Sequence, residues 1–219
     1  MLGVLYAALG AFTFALNNVA MRRGVVTGSV LQGMALTVPI GGLSFFVLAT
    51  VFGELHELAV FPMAALVWLA GQGIVHFVLG RYCNYKANQL MGVNLTAPVV
   101  QLQVPLAMLL AVVMLDEKFT VLQAIGSTLM LGGSFITQAN AGKGKRQPTA
   151  APKPTFQPRV FSGYILGLGA AMCYGTSPLM ARQAFLYAPD IGTAAGGCIA
   201  YAAATSFFLL ILFKPGSVA

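Results

Sequence analysis

Charge is what this sequence has least of. Only 8% of its 219 residues are Asp, Glu, Lys or Arg, where a water-soluble domain carries about 25%. A chain so poor in charge cannot clothe itself in a surface that water tolerates, which excludes a soluble globular protein and makes lipid the expected surroundings. The five acidic residues, Glu54, Glu57, Asp116, Glu117 and Asp190, all lie at the ends of apolar runs. No carboxylate lies within a span, which weakens any proton-relay scheme. Cysteine is scarce too. Cys83, Cys173 and Cys198 are odd in number and far apart, so neither a disulfide framework nor a metal site is expected, and they read as small apolar packing residues. No GxxxxGK[ST] phosphate loop occurs, which argues against direct use of ATP. No cofactor is implied. The N-terminus has no basic segment and no small-residue cleavage site before Arg22, so Leu2 to Met21 reads as a retained span, not a signal peptide.

What the sequence does have is long apolar runs. About 20 apolar residues cross roughly 30 Å of hydrocarbon as a helix, and seven stretches qualify. They run from Leu2 to Met21, Val30 to Phe52, Pro62 to Gly80 or somewhat beyond, Val93 to Leu115, Thr120 to Thr137, Ser162 to Leu186, and Ile191 to Phe213. Residues 138–161 break the pattern with Gly, Lys, Gln, Thr and four prolines, and read as an extended linker. The net charge of +7 does not point to nucleic acid. Five of the twelve basic residues sit in that linker, and most of the others punctuate span ends. Counting connections in order, the odd ones and the segment after the seventh span hold ten basic residues, and the even side holds only Lys118 and Arg182. The positive-inside rule then places the odd connections in the cytoplasm and the N-terminus outside.

The sixth span repeats the first. Gly3 to Arg22 reads GVLYAALGAFTFALNNVAMR, and Gly163 to Arg182 reads GYILGLGAAMCYGTSPLMAR, at a constant offset of 160. Ser44 to Leu48 (SFFVL) matches Ser206 to Leu210 (SFFLL) at an offset of 162. Five helices per copy is odd, so the second copy must enter the membrane from the opposite side. Such inverted repeats with a site between them are a secondary-transporter design. The expected fold is an all-α integral membrane protein. Residues 1–137 form a complete five-helix repeat, 138–161 a basic, Pro-rich cytoplasmic linker, and 162–219 the first two helices of an inverted second repeat that stops early.

Polar residues inside spans are costly and therefore informative. Asn94, Pro98, Gln101 and Pro105 recur at i, i+4, i+7 and i+11 on one helical face. Each proline removes a backbone donor and frees a carbonyl up to four residues earlier, which gives either a solute-facing strip or a kinked packing helix. Gln72 and His76 share a face of the third span with Gly80. His76 is the one ionisable group well inside an apolar run, and it either carries a proton or hydrogen-bonds a solute or a neighbouring helix. Asn17 and Asn18, late in the first span, match Ser177 and Pro178 in the sixth. Matched irregular positions in two halves point to a binding site, with an interfacial cap as the alternative. Tyr82 and Tyr85 suit an aromatic belt or a gate. The pairs Gly163–Gly167 and Gly192–Gly196 have the spacing for close helix packing.

One segment carries a family signature. Tyr85 and Ala87 stand near a helix end, Pro105-Leu106 lies centrally in the next helix, and Glu117 ends it. Gln123, Gly126 and the pair Gly132-Gly133 follow in the helix after that. With the five-plus-five repeat, this order resembles the EamA type of the drug/metabolite transporter superfamily. The resemblance implies a central pathway between repeats and movement of small metabolites. Glu117, at a helix C-terminus where a carboxylate opposes the dipole, reads as a residue that holds a loop and not as a proton site, and Gly126 is grouped with it as structural. The chain differs from the family in its acidic second connection and in the missing last three helices. The expected partners are a small organic solute and the bilayer, with no nucleic acid, and a homodimer would be one way to complete the pathway. The expected location is a bacterial inner membrane. The competing readings are an intramembrane enzyme using Ser177 and His76, and a non-transporting scaffold or half-protein.

Overall fold

The computed structural model describes residues 2–115, 118–141 and 159–213. Every regular element among them is helical: α1 (Leu2–Thr27), α2 (Val30–Val51), α3 (Met63–Gly73), α4 (Arg81–Met91), α5 (Val93–Val100), α6 (Gln103–Leu115), α7 (Val121–Ala141), α8 (Val160–Tyr187) and α9 (Thr193–Leu212). A 3₁₀ turn, Glu54–Ala59, follows α2, and a π-helical segment, Ile74–Gly80, joins α3 to α4.

Local chemistry sets the breaks. Ser29 caps α2 by accepting from the Gln32 amide at 3.1 Å, and Gln32 Oε1 accepts from the Ser29 amide at 2.9 Å. Gly92, at φ 85°, separates α4 from α5, a conformation that side chains with a β-carbon rarely adopt. At the prolines the helical ladder is interrupted at Gln101-Leu102. Pro105 has no N–H for the Gln101 carbonyl, which instead accepts from Val104 at 3.1 Å, and the Leu102 amide turns to Val99 at 3.2 Å.

The third span is longer than its hydropathy suggests. Backbone conformation stays helical through the π segment, so Met63–Met91 is one 29-residue run. Its polar last third survives because Asn84, Tyr85, Ala87, Asn88 and Met91 are buried against protein. Of the expected linker 138–161, α7 takes in the residues to Ala141 and α8 begins at Val160. The rest of that linker, and the C-terminus from Lys214, fall outside the described residues.

Among the described residues, five helical stretches are long and apolar enough to cross a membrane: Gly3–Met21, Val30–Val51, Met63–Met91, Val93–Leu115 and Thr193–Leu212. Exposed Leu, Val and Phe side chains along them, such as Val4, Phe12, Leu36 and Val113, suit lipid. The apolar part of α7 is shorter, Val121–Ile136. α8 has the length, at 28 residues, but carries Thr176, Ser177, Arg182 and Gln183. Its surroundings account for this. α3, the π segment, α4, α5 and α6 all pack on it, so much of its surface meets protein and need not be apolar.

Small residues let these helices approach. A β-carbon on Gly163 would sit 2.7 Å from Met91, and one on Gly167 2.9 Å from Val99, as their spacing suggested. A β-carbon on Gly73 would strike the Ala200 carbonyl of α9. α9 also packs along α2. Two junctions tie helix ends together. The Arg159 amide donates to the Leu90 carbonyl at 3.0 Å, which holds the start of α8 beside the end of α4. Glu57 and Glu54 accept from the Gly192 and Ala195 amides at 2.6 and 2.9 Å, which holds the 3₁₀ turn against the start of α9.

Candidate functional site

Three residues singled out from the sequence meet. Ser177 Oγ, on α8, lies 2.7 Å from His76 Nδ1 on the π segment, and Gln72 Nε2, on α3, donates to the same oxygen at 3.4 Å. A hydroxyl that accepts from Gln72 can donate its own hydrogen to Nδ1 of a neutral imidazole. That assignment satisfies all three groups and leaves the proton on Nε2. The cluster is deep. His76 is 13 residues from one end of Met63–Met91 and 15 from the other, and Ser177 is 2% exposed. The His76 ring is bracketed by Phe77 and Tyr174, each with its centroid at 4.7 Å.

The π segment changes which residues share this face. In an α-helix, His76 and Gly80 would align. Here the Arg81 amide bonds to the His76 carbonyl five residues back, so Arg81 rises on the same side as His76. Arg81 Nη2 donates to the Tyr201 hydroxyl of α9 at 3.3 Å. Its guanidinium carbon lies 5.5 Å from the Phe77 ring centre and 6.0 Å from that of Tyr201, and those two rings stack at 3.7 Å. Arg81 is 18 residues from Met63 and 10 from Met91, inside the span, where a charged side chain is costly without compensation. From sequence, Arg81 counts among the basic residues of the odd connections, either in a loop or in an extended third helix; the structure places it within that helix.

A second polar group lies beside α1. Asn18, Asn84, Asn88, Thr96 and Gln101 line a cavity of about 20 Å³, room for about one water. Asn88 Nδ2 donates to the Asn84 backbone and side-chain oxygens, both at 2.8 Å. Asn18 also donates to the Phe14 carbonyl at 2.9 Å. Asn84 and Asn88 escaped the sequence reading because it ended the third span near Gly80. Their i, i+4 spacing was the available signal.

The strip expected on the fourth span is divided. Gln101 turns to the amide cavity, whereas Asn94, which is exposed, and Pro98 line a groove of about 350 Å³ against Gly133 and Ser134 of α7. Pro105, beyond the interruption, lines another groove of about 530 Å³ between α6 and α7. Asn17 is exposed and outside both clusters. Gly126 is exposed on α7, with open space where a β-carbon would be. Glu117 lies outside the described residues. Tyr85 is buried, its hydroxyl donating to Thr37 Oγ1 at 3.3 Å, while Tyr82 is exposed. Among the described residues no group of His, Cys, Asp and Glu could hold a metal ion.

No curated protein matches the chain. A family model, that of the EamA-like transporter family, matches residues 1–138. With its apolar spanning helices and the polar residues buried between them, the chain belongs to the EamA-like transporter family, a membrane transporter family of the drug/metabolite kind.

Proposed function

We propose that this protein is a secondary transporter of small organic metabolites in a bacterial inner membrane. Residues 1–137 and 162–219 act as inverted repeats that expose a central site to each side in turn. Gln72, His76 and Ser177 form the core of that site, with Asn18 and Gln101 extending it through the amide cavity. The observation that carries this reading is the 2.7 Å contact between His76 and Ser177. It joins the first repeat to the second near the midpoint of both helices, where a midplane site is expected. The end contacts support seven crossings. The start of α8 meets the end of α4, and the start of α9 meets the turn after α2. Each contact pairs connections that seven crossings place on one side of the membrane. α7 and α8 then span despite their shorter or more polar apolar surface.

The test is flux through the full chain in lipid vesicles, measured by counterflow with a panel of labelled amino acids, short carboxylates and ethidium. Ser177→Ala and Gln101→Leu should each lower flux at least tenfold with insertion unchanged. Undiminished flux in both would remove these helices from the pathway. Cysteines at positions 94 and 101 separate the groove against α7 from the amide cavity. Water-soluble reagents should reach position 101 when the site opens, and lack of reaction from either side would refute a wet central path.

The Ser177–His76 pair also invites a nucleophilic reading. Its surroundings oppose it. Ser177 is buried in the middle of α8 and is followed by Pro178, which has no N–H to offer an oxyanion, while neighbouring amides are committed to the helix. A fluorophosphonate probe should leave Ser177 unlabelled, and labelling that disappears in Ser177→Ala would revive the enzyme.

A further inference from the structure

Resting on that reading of the central site, we infer that Arg81 is its anion-recognition group and that the solute carries a carboxylate or comparable planar anion. Depth is the first ground. Tyr201, which accepts from Arg81, presses its ring against Gly41, and Gly41 is 11 residues from Val30 and 10 from Val51 in α2. The guanidinium therefore reaches a level near the middle of α2, well inside the span.

Its surroundings are the second ground. A fixed cation at this depth requires compensation, and carboxylates are the usual source. Among the described residues none is paired with Arg81. Glu54 and Glu57 are engaged at the start of α9, and Asp190 lies in the turn before it. The partners Arg81 does have are two π faces and one hydroxyl. These hold a cation without neutralising it. A guanidinium has five N–H donors, and the hydrogen bond to Tyr201 occupies one. The remaining fork suits two-point binding of a carboxylate.

Connection to the site is the third ground. The π turn sets Arg81 on the His76 side of the helix, and Phe77 touches both, stacking on Tyr201 and lying edge-on to His76. A small solute with its anion on Arg81 would run its apolar part along Phe77 and Tyr201 and present a polar group to His76 or Ser177. Amphipathic monocarboxylates fit this arrangement; cations do not.

The experiment uses the purified full chain in detergent, with thermal unfolding as the readout. The probes are benzoate and butyrate at millimolar concentration, the matched amides benzamide and butyramide, and the matched amines benzylamine and butylamine. The carboxylates should raise the midpoint by several degrees and the amides and amines by less than one. Arg81→Gln should abolish the carboxylate shift, Arg81→Lys should weaken apparent affinity about tenfold, and Tyr201→Phe should preserve the preference for the anion. Tyr201→Phe guards against misfolding, because it removes the same hydrogen bond and keeps the charge. Equal shifts with amides or amines, a carboxylate shift that survives Arg81→Gln, or no shift with any probe would overturn the assignment. A shift that survives Arg81→Gln and vanishes in Ser177→Ala would overturn it alone and leave the central-site reading standing.

Discussion

α1 and α8 share a sequence pattern and differ in almost everything else. Gly3 and Gly163 occupy matched positions, yet a β-carbon on Gly3 would find nothing within 4 Å, and one on Gly163 would crowd Met91. At the other matched pair, Asn17 is exposed while Ser177 is buried on His76. α1 touches α2, α4 and α5 along part of its surface, whereas α8 is ringed by α3, the π segment, α4, α5 and α6. The same string of small and apolar residues thus makes a lipid-facing helix in one place and the hub of the bundle in another. A repeat read from sequence gives the helix and its length. Burial comes from which neighbours the fold supplies.

The largest expected contrast tests that statement through packing. Gly175 on α8 faces the Gln103 carbonyl and the Leu106 side chain, each 3.0 Å from where its β-carbon would be, while Gly10 on α1 faces open space. Gly175→Leu should cost about 2–3 kcal/mol by overpacking and lower the unfolding midpoint by about 5–10 °C. Gly10→Leu should shift it by less than one degree, since its side chain goes into lipid or detergent. Equal effects at both positions would mean that α1 is as enclosed as α8.

How much of this was legible in the sequence follows from the same contrast. Gln72, His76 and Ser177 could be found because each is polar in an apolar run and lies at a periodic or repeated position. The proline pair gave the interruption at Gln101-Leu102. Arg81, Asn84 and Asn88 were not found, because a hydropathy reading ends a helix where its residues turn polar. Protein neighbours let this helix continue to Met91. The π segment was hidden as well, since no residue type signals a bond from Arg81 to His76. It regroups the face, adding Arg81 to a set that α-helical spacing had drawn as Gln72, His76 and Gly80. The strip on the fourth span failed for a related reason. Its spacing assumed one straight helix of uniform surroundings; Asn94 and Gln101 instead line different cavities, and Pro105, beyond the interruption, lines a third.

The next contrast concerns the matched polar positions. Removing the Ser177 hydroxyl leaves His76 and Gln72 without their shared partner in a water-poor interior, a loss of about 1–3 kcal/mol. Asn17→Ala should stay within about 0.5 kcal/mol, as at other exposed sites. Solute flux should separate the pair further, falling at least tenfold for Ser177→Ala and remaining near the native value for Asn17→Ala. A loss of flux in both would place α1 on the pathway after all, and sharpen the inverted-repeat model by making the two positions functionally equivalent.

The smallest effect lies in the second pair of matched helices. α2 and α9 share their SFFVL and SFFLL segments but are capped differently. Ser29 and Gln32 cap α2 from three residues apart, whereas α9 draws its acceptors from Glu54 and Glu57, 141 and 135 residues away. Ser29→Ala should cost about 1 kcal/mol, the usual worth of a lost cap. Glu57→Gln keeps an acceptor and removes the charge that opposes the positive end of α9, so it should cost about 0.5–1 kcal/mol. Salt distinguishes the two. Raising the salt concentration to about 1 M should shrink the Glu57→Gln difference, because the Debye length falls to about 3 Å, and should leave the Ser29→Ala difference unchanged. A Glu57→Gln effect indifferent to salt would make its contact one of geometry alone. The turn after α2 would then steady α9 as a spacer, and its acidic character would owe nothing to the helix it caps.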